Sequence, residues 1–329
     1  MRPLSDRAFL LLVLLPAVAL ATLASWAGRG IDLDCVLGNP ATRDAGALAR
    51  AFRDPHPPAT PGTPLPTYAW RPVTEASFWL NLAVAERLGG GLLAWLRAGS
   101  LLLHAAAALA AFWAARELGR SLGIASGAFP RWAALFFALH PLGVQNLTYV
   151  YQRYVILEAA LLFLTVGLYA RARRTGSRRA WIAALGAGVL AMGAKETAVT
   201  LPLALAALEW ILHGQEPGES ARAALRRWLP FACLPLILLV QVLRAHALSR
   251  SLAHQGLFSD AAGLRPLEYL LLQLPILGRY LALDAWPFPL AFHFDRPAVS
   301  PPPIPAFLTA ACGLLVAALL GFVLRGPAR

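Results

Sequence analysis

A small set of charged residues in this sequence has the side-chain types needed to handle a phosphate group. Asp32 and Asp34 are two carboxylates close together, and such groups can act as a general base on a hydroxyl or hold a metal ion. Lys195 is the only lysine of the chain. An ammonium is a compact charge that suits a phosphate oxygen, whereas an arginine is a planar fork that binds phosphate through two donors. These residue types predict a site that binds a phosphate group next to a carboxylate able to accept a proton.

Other polar residues of this kind lie at the ends of apolar segments or in the loops between them. Ionisable groups at a membrane are costly and are functional candidates by default. Each also has a structural interpretation: an interfacial anchor for Arg71, a helix end for His140, and a structural ion pair for Lys195 with Glu196. The further candidates are Arg71, His140, Gln145, Gln152, Arg153, Glu196, His293 and Asp295.

The composition indicates what kind of element positions these residues. The chain has 329 residues, of which 58% are hydrophobic and only 14% are charged. Soluble domains are about a quarter charged. Several apolar tracts reach the roughly 20 residues that a membrane-spanning helix needs. Because the tracts are continuous and rich in Leu and Ala, helices are favoured over a barrel, and the sequence predicts an all-α polytopic membrane protein.

The tracts predict a single membrane domain over 1–329 with about 8–9 transmembrane helices. A first span at 8–27, with a cleaved signal peptide as the alternative, leads from a cytoplasmic N-terminus into an external loop at 28–95. This loop carries an interfacial helix at 74–88. The remaining spans occupy 96–325, and 264–285 either crosses the membrane or is embedded in it. These spans are predicted at 96–115, from Trp132, at 154–170, at 229–243 and at 304–324, besides the hairpin described below.

The positive charge is best explained by membrane topology. The net charge is +12, and the arginines are concentrated in short loops, as the positive-inside rule expects for cytoplasmic loops. The densest loop, RARRTGSRR at 171–179, is therefore predicted to be cytoplasmic. Nucleic-acid binding would need a basic face with interleaved aromatic residues, so no nucleic-acid partner is expected. The three cysteines have no metal-ligand spacing.

The apolar tract at 181–212 places Lys195 and Glu196. As one helix it would measure about 48 Å, which exceeds the roughly 30 Å of a hydrocarbon core. Basic loops flank it on both sides, so both ends are expected on the cytoplasmic face. The tract is therefore predicted to form a hairpin with two short arms. Lys195 and Glu196 lie at its external tip, on the side where the other candidates collect.

Five sequence motifs occur in an order similar to that in a known membrane family. The motifs are DLDCVLGNP, WRPVTEASFWLN, FALHPLGVQNLTYVYQR, AKETAVTLP and FPLAFHFDRP. They resemble the membrane part of the transmembrane and tetratricopeptide-repeat O-mannosyltransferase-like family, especially its bacterial members. That family belongs to the GT-C class of polytopic glycosyltransferases. The resemblance covers about 31–297, and its most specific parts are the third and fourth motifs.

The resemblance implies transfer of a sugar from a polyprenyl-phosphate-linked donor to a protein or glycan hydroxyl. For a bacterial member it implies the inner (cytoplasmic) membrane, a periplasmic site, and membrane lipids, donor and acceptor as partners. It places the key acid at Asp32, with Asp34 second. A divalent metal (Mg or Mn) at Asp32 is an open alternative. We expect donor phosphate to bind Arg71, Arg153 and Lys195. The residues expected to shape the site are His140, Gln145, Gln152, Glu196, His293 and Asp295.

Two other classes of function are weighed against transfer. Members of the family continue with further spans and helical repeats, which this sequence does not contain. A catalytically inactive GT-C-like subunit of a larger membrane complex is therefore the main alternative. A transporter is disfavoured, because no inverted repeat is visible and the polar residues collect at one face rather than at the midplane.

Overall fold

The structure, a computed structural model, describes residues 33–53, 70–124, 127–213, 220–251, 280 and 282–284. Their regular elements are helices without a strand, which confirms the predicted all-α class for these ranges. The predicted spans at 8–27 and 304–324 lie outside them, as does nearly all of 264–285. The α-helices are α1 (Leu33–Leu37), α2 (Ala45–Ala51), α3 (Pro72–Leu88), α4 (Leu92–Ser121), α5 (Ala128–Leu139), α6 (Gly143–Thr148), α7 (Arg153–Thr175), α8 (Arg178–Ala194), α9 (Leu201–His213), α10 (Ala221–Ala232) and α11 (Pro235–Ser251).

Three of the described segments are long and apolar enough to cross a membrane. They are Leu92–Ser121, Val150–Thr175 and Arg222–Arg244. Each contains one of the spans predicted at 96–115, 154–170 and 229–243, although a turn at 233–234 divides the third segment between α10 and α11. These helices indicate a membrane protein. The total of 8–9 spans stays a prediction, because several of them fall outside the described residues.

The span predicted from Trp132 is shorter in the structure than a full crossing. Helix α5 has 12 residues, which is about 18 Å at 1.5 Å per residue. It ends at Leu139, and the following residue, His140, has an extended backbone (φ −62°, ψ 128°). The cause is Pro141, because a proline disfavours helical geometry in the residue before it. The chain then continues through the short helix α6.

The interfacial helix predicted at 74–88 begins slightly earlier, at Pro72. Arg71 is its N-cap and Pro72 follows at the first helical position, where the missing N–H of proline costs nothing. The helix ends before Gly89, which has φ 73°, a conformation that favours glycine. The helix is confirmed, and its position at a membrane interface stays a prediction.

Small residues allow α4 and α7 to pack closely. Helix α4 buries a run of alanines, among them Ala107, Ala111 and Ala114. Opposite them on α7 is Gly167, where an added Cβ would lie 2.5 Å from the ring of Trp113 and 3.0 Å from the Cα of Ala114. Small residues at such contacts are typical of helices packed in membranes, since they let the backbones approach.

We expect Gly167→Ala to destabilise the protein. The methyl group would have to displace backbone as well as a ring, and overpacking of this kind costs about 1–3 kcal/mol. Gly186→Ala on α8 is the matched control, because nothing lies within 4 Å of a Cβ there. In a helix interior alanine is favoured over glycine by about 1 kcal/mol, so the control should not lower stability. Thermal unfolding in detergent measures both, and equal melting temperatures would contradict the close contact.

The predicted break in the 181–212 tract is confirmed. Helix α8 ends at Ala194, and Lys195 is extended (φ −159°, ψ 149°). A 3₁₀ turn, Glu196–Thr200, leads into α9. A Cβ on Gly188 would lie 3.3 Å from the side chain of Leu201. One straight helix would separate those positions by about 20 Å, so the chain folds back at Lys195.

The chain divides into two units. The first comprises Met1–Ala206 and Glu219–Ala247, and the second comprises Ala207–Gly218 and Leu248–Arg329. The described part of the second unit is the end of α9, the end of α11 and a few helical residues near 282–284. The site described below belongs to the first unit.

Candidate functional site

The hairpin tip meets two other elements in the first unit. The start of α3 supplies Arg71, the first turns of α7 supply Tyr154 and Glu158, and the tip supplies Lys195 and Glu196. These segments are far apart in the sequence, yet their charged side chains form one group. We call it the tip cluster, defined by Arg71, Tyr154, Glu158, Lys195, Glu196 and Thr197.

Arg71 and Glu196 form a two-pronged ion pair. Nε and Nη2 of Arg71 donate to the Glu196 carboxylate at 3.0 and 2.9 Å. The ring of Tyr154 lies 4.0 Å from the guanidinium carbon, a favourable position for a cation on an aromatic face. Burial alone lowers the pKa of Arg71, but the hydrogen bonds and charge of Glu196 outweigh it and raise the pKa overall. Arg71 therefore stays charged.

Lys195 has a different carboxylate as its partner. Its Nζ lies 4.0 Å from Oε2 of Glu158 and 5.4 Å from the centre of the Tyr154 ring. The other oxygen of Glu158 accepts a 2.6 Å hydrogen bond from the Thr197 hydroxyl. The Glu158 side chain is only 7% exposed, whereas that of Lys195 is 23% exposed. The Lys195 ammonium therefore has a distant contact with a buried carboxylate and remains exposed to solvent.

A tight contact between α8 and α3 fixes the tip. The hydroxyl of Thr74 donates to the carbonyl oxygen of Ala194 at 3.0 Å, and both residues are buried. A Cβ on Gly193 would lie 2.7 Å from the side chain of Val73. Glycine at position 193 therefore permits the approach that brings Lys195 and Glu196 to Arg71.

The loop that follows Asp32 and Asp34 is connected to α3. Asn39 donates to the carboxylate of Glu75 at 3.1 Å, one helical turn after Arg71. Burial raises the pKa of the Glu75 carboxyl, and the Asn39 hydrogen bond and the charge of Arg71 only partly offset this. Apolar contacts strengthen the connection, since Val36 of α1 packs with Phe78 of α3. The segment that follows Asp32 and Asp34 is therefore attached to α3, within the same predicted external loop.

Arg153 does not belong to the tip cluster. Its side chain is 1% exposed, and its guanidinium bridges α7 to two other helices. Its donors bind the Ser100 hydroxyl and the Leu96 carbonyl on α4 at 3.2 and 2.6 Å. They also bind the Ser77 carbonyl and the Asn81 side chain on α3 at 3.2 and 2.7 Å. These partners favour a structural role over the phosphate contact expected from the sequence.

The other predicted residues are placed as follows. His140 caps the end of α5, where its ring packs on Phe136 at 4.8 Å. Gln152 lies half-buried directly before α7. The structure describes only the backbone of Asp34, in α1, and of Gln145, in α6. Asp32, His293 and Asp295 lie outside the described residues, so their roles stay predictions.

The acidic partner of Lys195, Glu158, and the hydroxyl that binds this acid, Thr197, were not among the residues expected at the site. Glu158 lies within the span predicted at 154–170, and the sequence alone does not indicate a partner for it. Tyr154 was likewise not among the predicted site residues. The available signal was the spacing of Tyr154 and Glu158, because residues four apart lie on the same helix face. Within the described ranges no three His, Cys, Asp or Glu side chains come together as metal ligands. The metal suggested for Asp32 therefore stays a prediction.

The class of this protein is indicated by its described helices, and not by similarity to known proteins. Comparisons with protein-family models, curated proteins and solved structures find no match to the chain. The described residues define an all-helical protein with three segments apolar and long enough to span a membrane. At one end of this helical unit two cations, two carboxylates and an aromatic ring are in contact.

Proposed function

We propose that this protein is a GT-C-like membrane glycosyltransferase. It moves a sugar from a polyprenyl-phosphate-linked donor to a protein or glycan hydroxyl on the external face of the bacterial inner membrane. The observation that carries the proposal is the tip cluster. Arg71 and Lys195, expected from the sequence to hold phosphate, lie on the same tyrosine ring although 124 positions separate them.

The chemistry of the cluster suits a phosphate carried by a lipid. Arg71 offers a planar fork and Lys195 a compact charge, and both side chains are partly exposed. The sugar donor is a phosphodiester with a single negative charge, and the polyprenyl phosphate that leaves is a monoester with about −1.5 to −2 charges at neutral pH. Two cations therefore complement the charge that develops as the sugar departs. Buried Arg153 is left out of this proposed set, because its donors already bind protein groups.

The proposed reaction is a displacement at the anomeric carbon of the donor sugar. The bond from that carbon to the phosphate oxygen breaks, and a bond to the acceptor oxygen forms. The acceptor proton passes to a carboxylate, for which Asp32 is the first candidate and Asp34 the second. Arg71 and Lys195 stabilise the polyprenyl phosphate that leaves. The Asn39–Glu75 bond supports this arrangement, since it attaches the loop of the two aspartates to the Arg71 helix.

A catalytically inactive structural subunit is the second candidate, and one observation favours it. Each cation of the cluster already has a carboxylate partner, Glu196 for Arg71 and Glu158 for Lys195. Such pairs could serve only to hold the hairpin tip against α3 and α7. A subunit of this kind would bind partner membrane proteins and show no affinity for lipid phosphates.

Binding of farnesyl phosphate to the purified protein in detergent tests the proposal. We expect the wild type to bind, and Lys195→Ala to bind about tenfold more weakly, which is the loss of one charge-assisted contact. Arg171→Ala is the control, because Arg171 is exposed on the same unit. Arg174 is unsuitable, since it donates to buried Glu117 at 2.7 Å. If the wild type does not bind, or if both variants lose affinity equally, the tip cluster has only a structural role.

A further inference from the structure

The pair between Arg71 and Glu196 has the geometry of a bound ligand. A carboxylate and a phosphate present the same two-oxygen edge to a guanidinium fork. Glu196 takes this edge with bonds of 3.0 and 2.9 Å. The Glu196 side chain is 43% exposed, whereas that of Arg71 is 18% exposed. The carboxylate therefore covers the fork from the solvent side, where a ligand would arrive.

The surroundings hold Arg71 firmly and Glu196 weakly. The Tyr154 ring supports the guanidinium at 4.0 Å, whichever anion lies in the fork. Glu196 is the first residue of a short 3₁₀ turn whose N-cap makes no side-chain hydrogen bond. Water competes mainly for the Glu196 carboxylate, because its side chain is 43% exposed and that of Arg71 is 18% exposed. Glu158 differs, since it is buried and bonded to Thr197.

We propose that Glu196 is an internal competitor, whose carboxylate occupies the Arg71 fork and is displaced when a lipid-linked phosphate binds. The inference rests on the phosphate-binding role proposed above and adds a regulatory step to that site. Removing a residue from a binding site usually weakens binding, and this proposal predicts the opposite for Glu196. Removing the charge of Glu196 should strengthen phosphate binding, both by freeing the fork and by removing repulsion between like charges.

Affinity for farnesyl phosphate, measured in detergent at fixed salt, tests the inference. Glu196→Gln should bind about three- to tenfold more tightly than the wild type. Glu196→Asp keeps the charge but is too short to hold both prongs, so its affinity should lie between the two. Glu86→Gln removes an exposed carboxylate elsewhere on α3 and should leave the affinity unchanged. Farnesol lacks the phosphate and should bind all four proteins alike.

The outcomes separate this inference from the proposed function. If the wild type binds and Glu196→Gln binds equally or more weakly, Glu196 orients Arg71, and the competitor role is overturned. If no protein of the series binds, the proposed phosphate site fails and the inference fails with it. Inorganic phosphate in place of farnesyl phosphate should show the same order of affinities if the headgroup alone displaces Glu196. Melting temperatures identify a variant that is misfolded, in which case the order of the wild type and Glu196→Asp decides.

Discussion

Arg153→Met should lower the stability of the protein by about 3 kcal/mol. The wild-type guanidinium joins α7 to α3 and α4 through four hydrogen bonds. Its central carbon also lies 4.2 Å from the centre of the Phe78 ring. Methionine fills part of the volume but offers no donor. Some of the loss is offset, because a buried cation that has no ionic partner among the described residues is itself costly.

Two comparisons make this prediction specific. Arg171→Met removes an exposed arginine from the same helix and should change stability by less than about 0.5 kcal/mol. Arg153→Lys keeps the charge but not the planar fork, so it should be intermediate. Thermal unfolding in detergent, with circular dichroism to check helix content, measures all three. A stable Arg153→Met protein that no longer binds farnesyl phosphate would instead return Arg153 to the phosphate site.

Gly99 supports the same arrangement. An added Cβ at Gly99 would overlap the Asn81 amide oxygen and lie 2.9 Å from Nη2 of Arg153. The bond between Asn81 and Arg153 therefore needs glycine at this position. The distance between α3 and α7 is set by this contact among Arg153, Asn81 and Gly99. That distance in turn sets how Arg71 meets Tyr154.

Asp32→Asn should abolish sugar transfer while leaving lipid-phosphate binding intact. A general base contributes about 10²- to 10⁴-fold to a rate, so we expect the turnover rate to fall at least 100-fold. The donor affinity should change little, because the proposed phosphate contacts come from Arg71 and Lys195. The measurement uses purified protein, a polyprenyl-phosphate sugar and an acceptor peptide or glycan.

Asp44→Asn is a suitable control for this experiment. Asp44 is an exposed acid in the same predicted loop, and its side chain caps α2 by accepting from the N–H of Ala47. Asparagine caps helices about as well as aspartate, so this variant should stay active. Loss of transfer in Asp34→Asn but not in Asp32→Asn would move the base to the second candidate. A wild type that binds lipid phosphate but transfers nothing would favour the inactive subunit.

The hairpin shows how far reasoning from sequence reached. The tract at 181–212 is too long for one crossing, and arginine-rich loops flank it, so a break near Lys195 followed from length and charge. The structure confirms the break at that residue. Length and charge do not predict which side chains the hairpin tip contacts. That depended on Gly193 and Thr74, which seat the tip against α3.

The two arginines expected at the phosphate show the limit of the same reasoning. Arg71 and Arg153 both stand at the start of a helix, next to an aromatic residue, and the sequence alone does not separate them. In the structure one guanidinium is partly exposed in the tip cluster and the other is buried among Ser77, Asn81 and Ser100. The difference arises from the rotation of α7 about its axis, since the adjacent residues Arg153 and Tyr154 lie about 100° apart around the helix. Tyr154 faces Arg71, whereas Arg153 faces α3 and α4.

The sequence by itself determined the all-α class and the approximate positions of the main apolar helices in the described ranges, because hydrophobic length and the positions of proline and glycine act locally. It also determined where the chain must turn between basic loops. Only the tertiary structure decided the partners: Glu196 for Arg71, Glu158 for Lys195, and four protein groups for Arg153. Such pairings join residues far apart in the chain, and they depend on helix rotation and close packing that no local pattern specifies.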